Sequence, residues 1–555
     1  MRMVLIKIRV MSQTYFKTGE SRDQGLLLPF RIDDYVSADN PVRAIEVYVS
    51  SLDLAQLKFR HAPRGVKAGQ PPYDPADLLK LYLYGYLNQV RSPRRLEREA
   101  GRNVELIWLL RGLVPGYRTI GKFRWDNAGP LKAANRDFVL LARALDLVGG
   151  ERVAIDGAFF DGNASKASIV TRKRLAERQS ALEREIEAYG ALLDANDATE
   201  AAAEQARRPS IAGSIEDVAA KLAALQVRRA AAEADLETLA ASGETQLSRT
   251  DPDARLLSKT GQTVSGYNVQ IAVDDKHKLI VASEVVNDGN DTGQLHAMAR
   301  AAAEAIGAET LAAVADCGSF NGETLKACED SGIEAFVPEP ERGRRLEKEG
   351  RFGLDAFDYD TEADAYCCPA GEMLKPMQGR KQDATGKARI CYVSLRSACS
   401  QCQLRQSCLT AKADRRVIER WEHEDVIERH RARMAQAKAA DMMRRRKALA
   451  EHRFGTLKCR AGYRHFLMRG FEKVRGECAL MVLCYNFTRV LNIIGLDRFI
   501  AGLAKRAFYW LSLLITATVT VLRGFKTAWV PSNDLASTHG RHWTQNPILA
   551  PRYAQ

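Results

Sequence analysis

Apolar positions recur at helical spacing through the first quarter of the chain. In YDPADLLKLYLYGYLNQV, Leu78, Leu79, Tyr82, Leu83 and Tyr86 share one stripe, and Asp74-Pro75 supplies a cap followed by Pro at the first helical position. SPRRLEREAGRNVELIWLL (residues 92–110) reads as the next helix, and TIGKFRWDN (119–127) carries Lys122, Phe123, Arg124 and Trp125. Residues 15–145 are therefore expected to form an all-α domain. Its basic surface suits DNA, and equally suits a packed bundle with solvated charges.

From Glu151 the period falls to two. RVAIDGAFF sets Val153 and Ile155 around a charged centre, Asp156. A polar, Ala-rich interruption, 172–248, then holds Leu175, Leu182, Ile186, Tyr189 and Leu193 in one arm and Ile215, Val218, Leu222, Leu225, Leu236 and Leu239 in another. The stretch 195–212, with Pro209, separates them. This predicts a coiled-coil-like helical hairpin, with Ser214-Ile-Glu-Asp217 as a capping box for the second arm. Strands resume in GYNVQIAVDDKHKLIVASEVV (266–286), a hairpin turning at Asp274–His277. A helix (294–306), a short buried strand LAAVAD ending at Asp316, a helix in NGETLKACEDSG and a short strand AFVPEP (335–340) follow. Residues 341–440 turn polar and irregular. RRRKALAEHRFGTLKCRAGYRH (444–465) returns to helix, and ECALMVLCYNFTRVLNIIG is another, apolar one.

This order matches an α/β, RNase H-like core, in which adjacent strands bring two Asp side chains together and a later helix adds a third carboxylate. Asp156, Asp316 and Glu451 are the candidates. Three clustered carboxylates repel one another unless cations neutralise them, and hard oxygen ligands suit Mg²⁺ or Mn²⁺. Two such ions, about 3.5–4 Å apart, stabilise both oxygens of an in-line phosphodiester displacement. Glu451 is the one acidic residue in a stretch crowded with Arg and Lys. Lys458, seven residues on, is expected to share its face, and His452, Arg453, Arg460, Arg464 and His465 are candidate phosphate contacts. On spacing alone, a Glu among basic residues fits a surface ion pair as well.

Charge and cysteines sharpen this. The 555 residues carry a formal charge of +13, which favours a polyanionic partner; 46% hydrophobic content argues against general disorder. MRMVLIKIRVMSQ is broken by Lys7 and Arg9 and is no signal peptide. The apolar run Ala507–Leu522 is 16 residues long, short of the roughly 20 a membrane span needs. A buried or interfacial segment in a soluble, cytosolic protein is expected. Six of eleven cysteines fall between Cys367 and Cys408, which suggests a local metal site rather than a disulfide framework. CCPAGE (Cys367, Cys368), Cys391 and CSQCQLRQSC (Cys399, Cys402, Cys408) fit a tetrahedral Zn²⁺ site, because the polar insertion has little apolar material to fold around. Cys459, Cys478 and Cys484 are expected as small core residues, and Cys317 on the strand face away from Asp316.

VAIDGAFFDGNASK, the GYNVQIAVDDKHKLIVASEVVNDGNDTGQL block, VADCGSFNGE and EHRFGTLKCRAGYRHFLMRG together resemble a bacterial insertion-sequence DDE transposase, over about residues 15–497. The branch it resembles has an N-terminal helical domain and a cysteine-bearing insertion before the Glu helix. The resemblance implies an RNase H-like catalytic core (150–497), interrupted by the hairpin (172–248) and the Cys-rich insertion (341–440), with 498–555 a tail outside it. It implies Asp156, Asp316 and Glu451 as ligands of Mg²⁺ or Mn²⁺, and Cys368, Cys399, Cys402 and Cys408 as the zinc quartet, with Cys367 and Cys391 as substitutes. The implied activity is cutting at transposon inverted-repeat ends and joining of the released 3′-OH to target DNA. Double-stranded DNA would be the partner, the enzyme a homodimer or larger, and the compartment the bacterial cytoplasm and nucleoid. Lys447 stands four residues before Glu451 where Arg is usual; it can meet a DNA phosphate as a point charge but lacks the bidentate fork of Arg. Met443 stands where a Tyr is often seen, and Cys317-Gly318-Ser319-Phe320 replaces a usual Gly-Tyr. A catalytically decayed or host-adopted DNA-binding protein is the alternative.

Overall fold

Helices come first, their apolar stripes buried against one another and against residues of a helix near the other end of the chain. Among the described residues these are α1 (Val42–Ser50), α2 (Pro75–Leu87), α3 (Pro93–Ala100), α4 (Val104–Leu109), α5 (Tyr117–Asp126) and α6 (Ala128–Ala144). The computed structural model describes residues 31–62, 71–205, 212–259, 261–340, 350–379, 381–382 and 386–528. The side chains of 192–193, 196–205, 212–219, 450–451 and 507–528 lie outside that description. α2 starts as its sequence dictates: the Asp74 carboxylate accepts from Ala76 N, and Pro75 opens the first turn. The single helix expected over 92–110 is two helices. Gly101 closes α3, and Asn103 accepts from Glu105 N and Leu106 N to start α4, so stop and start signals sit back to back.

The main sheet is built from β1 (Arg152–Asp161), β2 (Arg255–Lys259), β3 (Gln262–Asp274), β4 (Ile280–Val286), β5 (Leu311–Val314) and β6 (Ile333–Phe336). Their order is β2-β3-β1-β5-β6, with β4 also on β3. β3 runs antiparallel to β1 and β4, whereas β1, β5 and β6 are parallel. β3 is buried from Ser265 to Asp274, so Asn268 and Gln270 are polar groups inside the sheet.

Between β1 and β2 stand α7 (Arg172–Gln205) and α8 (Ala212–Ser242), closed at their base by the pairing of Ile169–Thr171 with Gln246–Ser248. Leu175 and Leu239 pack with Val170, and Leu182 and Leu225 are also buried. Leu193, Ile215 and Val218 fall outside the described side chains. The separating stretch is shorter than the sequence suggests, because α7 continues to Gln205. Ser214 is not a cap, since α8 already begins at Ala212.

α9 (Gln294–Ile306) precedes β5, and α10 (Gly322–Asp330), α11 (Glu424–Met434), α12 (Ala437–Gly455) and α13 (Phe471–Ala528) follow it. α13 is interrupted at Gly495, whose φ of +76° only a residue without Cβ adopts freely. α12 lays Ala439, Met442 and Leu449 on Ala154, Ala312, Val314 and Phe336, across β1, β5 and β6. Phe471–Arg506 is long and apolar enough to cross a membrane by length and composition. Its hydropathy has another use here: Val474, Leu480, Val482, Leu483, Phe487 and Val490 are buried in the protein. The chain divides into units Met1–Ile500 and Ala501–Gln555; in the second, residues to Ala528 are helical and the Ala507–Leu522 side chains lie outside the description.

The cysteine region departs most from expectation. It is a second sheet of β7 (Asp358–Asp360), β8 (Ala365–Cys367), β9 (Met373–Pro376), β10 (Lys381–Gln382), β11 (Ala388–Val393) and β12 (Val417–Trp421). It has its own apolar core of Phe357, Tyr366, Leu374, Tyr392 and Ile418. The aromatic residues are too widely spaced in sequence to register as a hydrophobic run, and cross-strand pairing brings them together. α11 is not part of this sheet: it packs on α10 and β6, and the 341–440 boundary therefore runs too far.

Candidate active site

The parallel register of β1 and β5 decides the geometry. Arg152 pairs with Ala312, Val153 with Ala313 and Ala154 with Val314, so two further residues along each strand bring Asp156 abreast of Asp316. Asp316 sits just past β5 and caps the turn Cys317–Ser319, where the Ser319 hydroxyl donates to its Oδ1 at 3.2 Å. Asp156 Oδ1 accepts from Gly157 N at 3.0 Å. Burial pushes the Asp156 carboxyl up to about 6; the Arg446 guanidinium opposes this, and the charges of Asp316 and Asp291 add to it. Glu451 lies on α12, the helix that packs across these same strands, with its side chain outside the described residues.

Three neighbours of the pair are not among the expected residues. Asp291, in the loop before α9, is buried and lies close enough to act on Asp156. Its Oδ1 accepts from Asn268 Nδ2 at 3.0 Å and Gln270 Nε2 at 2.6 Å, and its Oδ2 from Lys259 Nζ at 3.2 Å. Burial works against the Asp291 charge, but these donors hold its pKa below the ordinary value. Burial likewise depresses the Lys259 ammonium, and Asp291, Asp316 and Asp156 together override it and raise its pKa. Arg446 is the basic residue of α12 that acts on Asp156, whereas Lys447, expected from the resemblance, is exposed on that helix. The available sequence signal was Asn268 and Gln270: two polar residues on one face of an otherwise apolar strand.

The expected phosphate contacts divide. α12 ends at Gly455 and a π-helical turn, Thr456–Arg460, follows, which breaks the angular register between Glu451 and Lys458. The Lys458 ammonium donates to the Phe159 carbonyl at 2.6 Å and lies over the Phe160 ring, and burial lowers its pKa. It thus braces β1. His452, Arg453 and Arg460 line a cavity of about 700 Å³ together with Arg489, Tyr463 and Tyr485, with no carboxylate among the described residues of its walls. Arg453 donates to the Tyr485 hydroxyl at 2.9 Å. Arg464 and His465 are exposed beside the end of β1, where Asp161 N donates to the Arg464 carbonyl.

Cys368, Cys399, Cys402 and Cys408 face one cavity of about 460 Å³ in the second sheet's periphery. Burial pushes the Cys408 thiol up, Arg416 opposes, and Cys399, Cys368 and Cys402 add to the rise. Cys367 and Cys391 do not line that cavity. Among the described residues no three His, Cys, Asp or Glu side chains are gathered as a ready metal-holding group. Cys478 and Cys484 are buried as expected; Cys459 is exposed on the π turn, and Cys317 is exposed on the turn after β5 rather than on the strand.

Residues 30–126 match the family model described as Transposase domain (DUF772), and residues 367–491 that described as Transposase DDE domain. Both matched segments are thus transposase domains, the second of them a DDE domain. The first takes in α1 to α5, and the second runs from the cysteine-bearing sheet through α12 into α13. Asp156, Asp316, Asp291 and Lys259 fall between the two segments. No curated protein matches. A cryo-EM structure of the piggyBac transposase synaptic complex with hairpin DNA aligns at 8% identity over 84% of this chain and 80% of that one. Its TM-score is 0.29, a superposition too loose to bear on the fold.

Proposed function

We propose that this transposase cuts the ends of its element and joins the released 3′-OH to target DNA by two-metal-ion transesterification, in an RNase H-like core. The observation that carries the reading is Asp156, midway along β1, in line with Asp316, just past the end of the parallel strand β5, with the helix bearing Glu451 packed across both strands. The strand order, three antiparallel strands on one side of β1 and two parallel ones on the other, supports the core assignment. The donor set fits a hard divalent cation: mutually repelling carboxylates, one of them with a raised pKa. Asp156, Asp316 and Glu451 would hold Mg²⁺ or Mn²⁺. When bound, such ions supply activation of the attacking oxygen and stabilisation of the leaving one.

The chain's own contribution is alignment. Lys458 and Arg446 fix β1 and α12, and the cation-lined cavity of His452, Arg453 and Arg460 holds the phosphate backbone, with Lys447, Arg464 and His465 flanking it. The four facing cysteines are assigned a structural Zn²⁺. Joining two DNA ends calls for a dimer or larger assembly, acting on DNA in the cytoplasm. The test incubates the purified protein with DNA spanning the boundaries of its own element, with and without Mg²⁺ or Mn²⁺, beside Asp316→Asn and Glu451→Gln. Metal-dependent nicks at the boundary, lost in both variants, are expected. Equal DNA binding by all three with no nicking would replace the enzyme by a DNA-binding regulator.

A further inference from the structure

We infer that Lys259 is a further active-site residue, which contacts the phosphate being cut, and that Asp291 is its positioning residue. The inference rests on the transposase reading and adds to it a cation from the protein itself. Lys259 is the last residue of β2, opposite Gln262 across the hairpin to β3. Its side chain is 53% exposed while its partner Asp291 is 8% exposed, so the ammonium stands at the rim and its anchor is inside.

The anchor is unusually well provided for. Asn268 and Gln270, two residues apart on one face of β3, both donate to Asp291 Oδ1. Buried amides in a strand cost free energy unless they are bonded, and here they are bonded to this carboxylate. β1 makes room as well. A Cβ at Gly157 would stand 2.3 Å from Asp291 Oδ1 and 2.2 Å from Gln270 Nε2, so only glycine beside Asp156 admits the arrangement. β3 and β1 thus make a place for a third negative charge next to Asp156 and Asp316, which by itself raises the repulsion there. That expense has a use if the carboxylate aims a cation. The cation it aims is Lys259, close enough to Asp316 and Asp156 for their charges to act on it, and half exposed to solvent.

A fixed ammonium beside the reacting phosphate gains strength as negative charge builds on the phosphate oxygens, so its contribution falls on the rate more than on binding. Asp291→Asn leaves an acceptor for Asn268 and Gln270 but turns an amide N–H toward Lys259, and so frees the ammonium without emptying the site.

The experiment has two arms on the full chain. In the first, boundary cutting at saturating DNA and Mg²⁺ is compared across Lys259→Gln, Lys259→Arg, Asp291→Asn and the Gln/Asn double variant. Lys259→Gln and Asp291→Asn should each lose about 100-fold. The double variant should fall no further than either single one, and Lys259→Arg should recover most of the rate. In the second arm, without metal, affinity is measured for a boundary duplex and for the same duplex with a neutral methylphosphonate at the cut position. The neutral link should weaken binding about tenfold in the unsubstituted protein and leave Lys259→Gln unchanged. Full-rate cutting by Lys259→Gln, or equal weakening of both proteins by the methylphosphonate, overturns the inference while leaving the proposed function standing. An unsubstituted protein that does not cut overturns the proposed function, and the methylphosphonate comparison alone then decides the inference.

Discussion

Asp156 shows how a single side chain carries the conflict on which such a site depends. Held inside the sheet beside Asp316 and Asp291, its carboxyl is raised to about 6, so below that pH it keeps a proton that a divalent cation must displace. The sign is fixed: affinity for Mn²⁺ should be level above about pH 7 and fall about tenfold per pH unit below 6, as expected for one competing proton. Titrating Mn²⁺ binding by its electron-spin resonance between pH 5 and 8 checks this. A curve flat down to pH 5 would mean that Asp156 is not a ligand. Asp156 and Asp316 were legible because the first is a charge inside an apolar, strand-length run and the second a charge at the end of one. Asp291 was not: NDGNDTG is polar throughout, and the donors that single it out lie about twenty residues earlier on another strand. Lys259 becomes meaningful only once Asp291 is placed.

At the scale of elements, periodicity gave reliable helices and unreliable ends. α9 occupies the residues its pattern predicts, whereas α3 and α4 split at a Gly-Arg-Asn sequence that supplies both a stop and a cap. The second sheet was invisible because its strands are short and those that reach the shared core bring only a single buried residue each, as Tyr366, Leu374, Tyr392 and Ile418 do. That core changes what zinc is needed for. With Phe357, Tyr366, Leu374, Tyr392 and Ile418 packed together, the sheet has an apolar core of its own and is expected to fold without metal. The cation would instead fasten the segment carrying Cys399, Cys402 and Cys408 to Cys368. Protein purified without chelator should hold one zinc per chain. Stripping it should expose residues 395–416 to protease and free four thiols to a disulfide reagent, without loss of the far-ultraviolet spectrum. Metal analysis that finds no zinc would reduce the quartet to free thiols in a cavity.

At the scale of the molecule, the question is how the N-terminal helices are held to the sheet that carries the acids. The answer centres on Glu477, wholly buried at the start of α13. Its Oε1 accepts from the Tyr86 hydroxyl of α2 at 2.9 Å and lies 3.5 Å from Arg124 Nη1 of α5, and its Oε2 accepts from Leu467 N and Met468 N. Around it Tyr463 donates to the Tyr86 carbonyl, and Tyr48 and Phe138 pack on Phe487. Gly476 lets α13 approach Ala128 of α6, where a Cβ would meet Ala128 Cα at 2.5 Å. A buried pair of this kind contributes little net stability when intact, but removing one partner strands the other. Glu477→Ala leaves Arg124 charged and buried and two backbone N–H groups without an acceptor. It should therefore cost about 3–5 kcal/mol in urea denaturation. Replacing Glu477 and Arg124 together, by Leu and Met, should cost distinctly less than Glu477→Ala alone, because no charge is left behind. A double variant as unstable as Glu477→Ala would show that the lost backbone bonds, not the stranded guanidinium, set the cost. Either way the damage should appear in folding and not in chemistry: the fraction of Glu477→Ala that remains native should cut boundary DNA at the unsubstituted rate, because the latch touches neither Asp156 nor Asp316.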